Sequence, residues 1–135
     1  MEVKLLSITH YDENGRHLHS EEIADPSREQ IGDSIRGLDK FQRPAVHLHL
    51  YADVLDDDFL VVFGGSGVYA LSAALNDSYP NYYDASKSDE EIAVWTSDQG
   101  YYPEEKYVCY DLELVLKIAY HYAQFGKLSP AVVWL

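Results

Sequence analysis

Two short elements, His17-Leu-His19 and His47-Leu-His49, hold the side chains best suited to chemistry in this chain. A spacing of two places both imidazoles of each pair on one face of a strand, where they could hold a transition metal if a third ligand came close. Nothing in the spacing brings such a ligand to either pair, so strand histidines without a metal are the simpler account. Gly64-Gly-Ser-Gly67 is glycine-rich, yet no Gly-Lys-Ser/Thr follows it and the next residues are strand-like, so the helix end that cradles a phosphate is missing. A hairpin turn is expected there. Asp53 to Asp58 clusters carboxylates without the central glycine and distal Glu of a calcium loop. Ser66 lacks the Gly-x-Ser-x-Gly frame of a nucleophile elbow, and Cys109 has no local partner signature. No catalytic residue, no metal and no cofactor are expected.

These residues must be positioned by a chain of 135 residues, which fits one domain spanning 1–135 and can bury a real core without metal or disulfide staples. Val3 to Tyr11 and Arg16 to Ser20 flank Asn14-Gly15, the pattern of a hairpin. Asp25-Pro26 suggests an N-cap followed by a first-turn proline, and Ile31, Ile35 and Leu38 continue at helical spacing, predicting a short helix near 26 to 39. Ala45 to Tyr51 alternates as a half-buried strand, with His47, His49 and Tyr51 on one face and Val46, Leu48 and Leu50 on the other.

Phe59 to Phe63 and Val68 to Leu75 predict a second hairpin across the glycines, Ser78 to Ser88 is loop-like, and Glu91 to Thr96 and Lys106 to Tyr110 predict two more strands. Asp111 caps a strongly apolar helix that stops at Gly126, with Glu113, Lys117, His121 and Gln124 on a narrow solvent stripe and residues such as Leu116, Tyr122 and Phe125 facing protein. Ala131 to Leu135 supplies a last strand. The expected architecture is α+β: a mostly antiparallel sheet packed by a long C-terminal helix and a short N-terminal one.

Charge narrows the function. The chain carries a net charge of −13, and residues 53 to 105 account for −11 of it, with twelve acids against the single base Lys87. Nucleic acids and anionic membrane surfaces bind through Lys and Arg, so both are excluded as partners. Six of the twelve tyrosines and Trp95 share that window. Aromatic rings among carboxylates suit a basic protein partner. The candidate partner-binding residues are Asp56, Asp57, Asp58, Asp77, Tyr79, Tyr82, Tyr83, Asp84, Asp98, Tyr101, Tyr102, Glu104 and Glu105, with the tyrosines as anchors and the acids as steering charges. One cysteine cannot form an internal disulfide, Met1-Glu-Val-Lys is too quickly polar for a signal peptide, and no apolar run approaches a membrane span. A cytoplasmic protein is expected.

The order Phe59-Leu-Val-Val-Phe-Gly-Gly-Ser-Gly-Val-Tyr-Ala-Leu71, a strand with Trp95, the helix from Asp111 to Gly126 with its Phe-Gly ending, and Pro130-Ala-Val-Val-Trp134 resembles the first-numbered immunity-protein family of bacterial polymorphic toxin systems. The resemblance covers about residues 58 to 135. It implies a non-enzymatic α+β protein that binds and neutralises a cognate toxin, of the deaminase fold or a nuclease, by occluding its basic cleft. Two other readings remain open on the residues alone: a generic acidic protein-binding module, and a small metal-dependent enzyme using the paired histidines.

Overall fold

The computed structural model describes residues 1–52 and 58–135. Five antiparallel strands, β1 (Leu5–Tyr11), β2 (Leu18–Ala24), β3 (Ala45–His49), β4 (Phe59–Gly65) and β5 (Val68–Ala74), form one sheet in the order β2-β1-β3-β4-β5. Helix α1 (Arg28–Arg36) links β2 to β3, and α2 (Leu112–Phe125) follows the sheet. Two short strands, β6 (Tyr82–Tyr83) and β7 (Val133–Trp134), pair with each other. The protein has the α+β architecture that the sequence predicts.

Both helices cover one face of the sheet. The period of two puts Leu6, Ile8, Val46, Leu48, Leu60, Val62 and Leu71 on that face, and they pack with Ile31 and Ile35 of α1 and with Val115, Ile118, Ala119 and Tyr122 of α2 in one buried cluster. Burying a Val, Leu or Ile side chain contributes roughly 1.5–3 kcal/mol each, so this face supplies most of the folding drive. Among the described residues neither α-helix packs on the other face of the sheet.

Local chemistry corrects several predicted boundaries. The cap of α1 is Ser27 rather than Asp25: its Oγ accepts from the Gln30 N–H at 3.0 Å while the Gln30 side chain accepts from the Ser27 N–H at 2.9 Å. This reciprocal capping box outcompetes an Asp-Pro start and begins the helix two residues later than expected. Asp111 does cap α2, and Gly126 ends it at φ +66° with its N–H on the Tyr122 carbonyl. Phe125, expected to face protein, is 57% exposed against His121.

Residues 91–96 and 106–110 are not strands. Single bridges, Glu91 to Glu104, Trp95 to Tyr101 and Cys109 to Tyr69, replace ladders, and Glu105–Tyr107 is a 3-10 turn. The Thr96 N–H and hydroxyl both go to the Lys40 carbonyl instead of to a neighbouring strand. The segment is thereby a folded-over loop pinned to the sheet by Val94 and Val108, which bury against Ala70 with Phe63 and Val68. The glycines of β4 serve close approach: a Cβ on Gly65, at φ +141°, would stand 2.5 Å from the Leu38 carbonyl and the Asp39 amide nitrogen.

Candidate functional site

The helix-free face holds a groove whose origin is visible in the strand register. One row across the sheet runs Glu22, Ser7, His47, Val61 and Ser72, and the next runs Ala24, Leu5, His49, Phe59 and Ala74. On this face β5 contributes Val68 at its start and then only the small residues Ala70, Ser72 and Ala74, so the surface dips beside these three. Large side chains rise around the dip from β4 and from the 76–84 and 88–108 segments.

Two adjoining hollows share His47, Phe59 and Trp95 and so form one groove crossing the strands. The β4–β5 half has a volume of about 470 Å³ and is bounded by Phe59, Val61, Phe63, Tyr79, Trp95 and Tyr101. The β1–β2 half, about 400 Å³, is bounded by Ser7, Thr9, Ser20, Glu22 and His49. Both sizes lie in the range of small-ligand and side-chain pockets.

Two aromatic walls face each other across Val61. Phe59 sits 5.3 and 5.6 Å from the rings of His47 and His49. Phe63 packs against Trp95 at 5.9 Å and Tyr101 at 5.3 Å, and Tyr11 meets the edge of Trp95 at 5.9 Å. The indole Nε1–H donates to Ser97 Oγ at 2.7 Å, which fixes the Trp95 ring. The Tyr11 hydroxyl donates to an Asp98 carboxylate oxygen at 3.3 Å, placing that acid beside the wall. Ser72 Oγ donates to Asn81 Oδ1 at 2.6 Å near the β5 rim.

Burial lowers the pKa of His47 to about 4, with His49 adding to the shift, and burial lowers that of His49 against the opposing pull of Glu22. Both imidazoles are therefore neutral at neutral pH. His49 is only 5% exposed, and among the described residues its Nδ1 has no hydrogen-bond partner.

The two His-Leu-His elements do not converge. His19 shares the opposite face of the sheet with His10, 5.0 Å away, and His17 is exposed near Asp12. Among the described residues no three His, Cys, Asp or Glu side chains stand close enough to hold a metal. Ser66 is exposed at the β4–β5 turn, and the Cys109 thiol is buried, its pKa raised by that burial. Among the described residues no helix is long and apolar enough to cross a membrane.

The residues singled out for partner binding occupy several environments. Asp56 and Asp57 lie outside the described residues. Tyr79 and Tyr102 are exposed, at 66% and 50%, and Tyr79 reaches the groove. Tyr101 is half-buried as part of a groove wall, and Tyr83 is half-buried against Tyr107 at 5.4 Å. Tyr82 is 5% exposed and belongs to the main core, so it offers no surface anchor. Asp77 and Glu104 are exposed.

Asp58, Asp84 and Glu105 instead hold local structure. Asp58 accepts from the Asn76 N–H at 3.3 Å, Asp84 from the Ser86 N–H and hydroxyl, and Glu105 from the Ser88 N–H and hydroxyl and the Tyr110 hydroxyl. These hydrogen bonds hold the Asp84 and Glu105 carboxyls below their usual range. Sequence inspection missed Phe59, Val61 and Phe63 as groove residues. Their signal was present: a strand apolar on both faces in a sheet whose helices cover only one.

No protein-family model matches the chain, and no curated protein matches it. Among solved structures it is similar to the crystal structure of a hypothetical protein from Neisseria gonorrhoeae, with a TM-score of 0.63 at 10% identity, over 96% of this chain and 93% of that one. At that identity the likeness shows the fold alone.

Proposed function

We propose that this chain is an immunity-type inhibitor that binds the basic cleft of a nucleic-acid-targeting toxin, of the deaminase fold, and blocks it without catalysis of its own. The observation that carries the reading is a convergence within one segment: residues 88–108 supply Trp95 and Tyr101 to the groove and carry the acids Glu90, Glu91, Asp98 and Glu104 at exposed positions. A partner with a cleft built for phosphates meets carboxylates at the rim and aromatic rings at the centre, the arrangement of a tight interface. The resemblance over residues 58 to 135 supports the same role.

Glu91 and Glu104 stand opposite each other across a single bridge. Like charges in that position oppose folding, and a surface that serves only solubility gains nothing from the arrangement. The pairing is understandable where a negative field is used for recognition.

The test is co-expression with the toxin domain encoded beside this chain's gene. Protected growth and unmodified nucleic acid in the presence of this chain are the expected result. A neighbouring toxin that kills equally with and without it, or the lack of any neighbouring toxin gene, overturns the proposal.

A further inference from the structure

We propose that the groove on the helix-free face is a guanidinium slot, which takes one arginine side chain presented by the basic partner between Phe59 and Trp95. This deepens the inhibitor reading and rests on it for the source of the arginine.

The shape suits a planar group. Phe59 and Phe63 are four residues apart on one face of β4, which separates their Cα atoms by about 13 Å at strand spacing. Val61 lies between them as the floor, and Trp95 leans on Phe63. A flat cation seated where the two halves meet, beside His47, Phe59 and Trp95, finds aromatic rings there and the carboxylate of Glu22 in the adjoining half. Guanidinium stacks on such rings, whereas a lysine ammonium is a compact, strongly hydrated charge that gains less there.

The polar groups ask for a donor. Glu22 supplies a carboxylate to the β1–β2 half, and Ser7 and Thr9 supply hydroxyls. His49 lines the same half, and its Nδ1, buried, has no hydrogen-bond partner among the described residues. With its proton on Nε2, a neutral imidazole accepts at Nδ1. Guanidinium brings five N–H donors and no acceptor, so it matches this set, while a carboxylate or phosphate would bring only further acceptors.

Charge points the same way. Among the described residues neither half of the groove is lined by Lys or Arg, and the chain's net charge is −13. An anionic occupant would be unpaired there. A cationic one completes the site.

The experiment is a two-dimensional NMR titration of the intact protein with acetyl-Gly-Arg-Gly-amide, and with the same peptide carrying citrulline or lysine. Citrulline keeps the shape and removes the charge. The expected result is shifts at the Trp95 indole and at the amides of His47, His49 and Phe59, with the arginine peptide bound at least about tenfold tighter than either analogue. Glu22→Gln, at an exposed strand position, and Phe59→Ala should each weaken it, with the spectrum of each variant reporting whether it is folded. Equal affinity for citrulline, shifts confined to exposed acids such as Glu90 and Glu91, or no shift at millimolar peptide overturns the slot. Co-expression separates the two ideas. Protection without arginine binding leaves the inhibitor reading and removes the slot, whereas arginine binding without protection leaves the slot and removes the toxin.

Discussion

The imidazoles of His47 and His49 stack 5.8 Å apart and 11° from parallel, and both lean on Phe59 from the neighbouring strand. Two like-titrating rings in contact, on a surface partly closed by aromatic groups, resist protonation together. Apart from the two histidines this part of the groove is lined by the Ser7, Thr9 and Ser20 hydroxyls, Leu18, Glu22, Phe59 and Trp95, and of these Glu22 favours the charged form of His49.

Stability should therefore fall on mild acidification. The folded-state pKa of His47 is lowered from 6.5 to about 4, so between those values the unfolded chain takes up a proton that the folded chain refuses. The contribution of the neutral ring is full above about pH 6.5, shrinks as pH drops, and levels off near pH 4. For His47 alone the loss is at most about 3 kcal/mol. Asp84 and Glu105, whose pKa values are lowered, lose their contribution only as pH falls below the ordinary carboxylate range. Urea midpoints at pH 7 and pH 5 for wild type and His47→Gln check this: the wild type should lose clearly more, and equal losses would show that the rings do not govern the window.

Lys87 is the only base between residues 53 and 105, and its ammonium is committed to the fold. It lies 5.3 Å from the centre of the Tyr82 ring and 5.1 Å from that of Tyr110, donates to the Val108 carbonyl, and is 3.9 Å from an Asp84 oxygen. Lys87→Met keeps the stem but strands a carbonyl and removes both cation–π contacts. Destabilisation of roughly 1–3 kcal/mol is expected in chemical unfolding. An unchanged midpoint would mean that water replaces the ammonium at no cost.

Tyr82 and Tyr102 looked alike in the sequence and should behave oppositely. Tyr82 is 5% exposed in the main core, so Tyr82→Ala should cost about 3–5 kcal/mol. Tyr102 is 50% exposed, so Tyr102→Ala should leave stability within about 0.5 kcal/mol while weakening partner binding. Thermal unfolding of both variants separates them, and similar losses would contradict the placement.

The contrast shows what could be inferred from the chain alone. Alternation located β3, apolar runs beside turn residues located β1, β4 and β5, and the narrow polar stripe located α2, because burial of one or both faces imposes each of these patterns. Between residues 76 and 110 the structure comes from single bridges, side-chain hydrogen bonds to backbone and a half-buried lysine, none of which leaves a period. Tyr82 is buried because β7, from the far end of the chain, pairs with its strand, and that contact has no local trace. The groove escaped notice for a related reason. It depends on small residues of β5 lying beside Phe59 and Phe63 in register, and register is a property of two segments at once.

Glu91 and Glu104 allow stability and recognition to be separated in one substitution. They face each other across a bridge and are both exposed, so Glu91→Lys turns a repulsion into an attraction and should raise stability by a few tenths of a kcal/mol. The same change moves the charge of residues 53–105 from −11 to −9. Association with a basic toxin domain should slow, most at low salt, because the Debye length falls from roughly 30 Å at 0.01 M to roughly 8 Å at 0.15 M and screens the lost charge. Dissociation should change less, since short-range contacts in the groove set residence time. Urea unfolding gives the first quantity and stopped-flow association at several salt concentrations the second. A stabilised variant that associates at the wild-type rate in low salt would place the steering field elsewhere on the molecule, and one that is destabilised would show that the two glutamates do not repel.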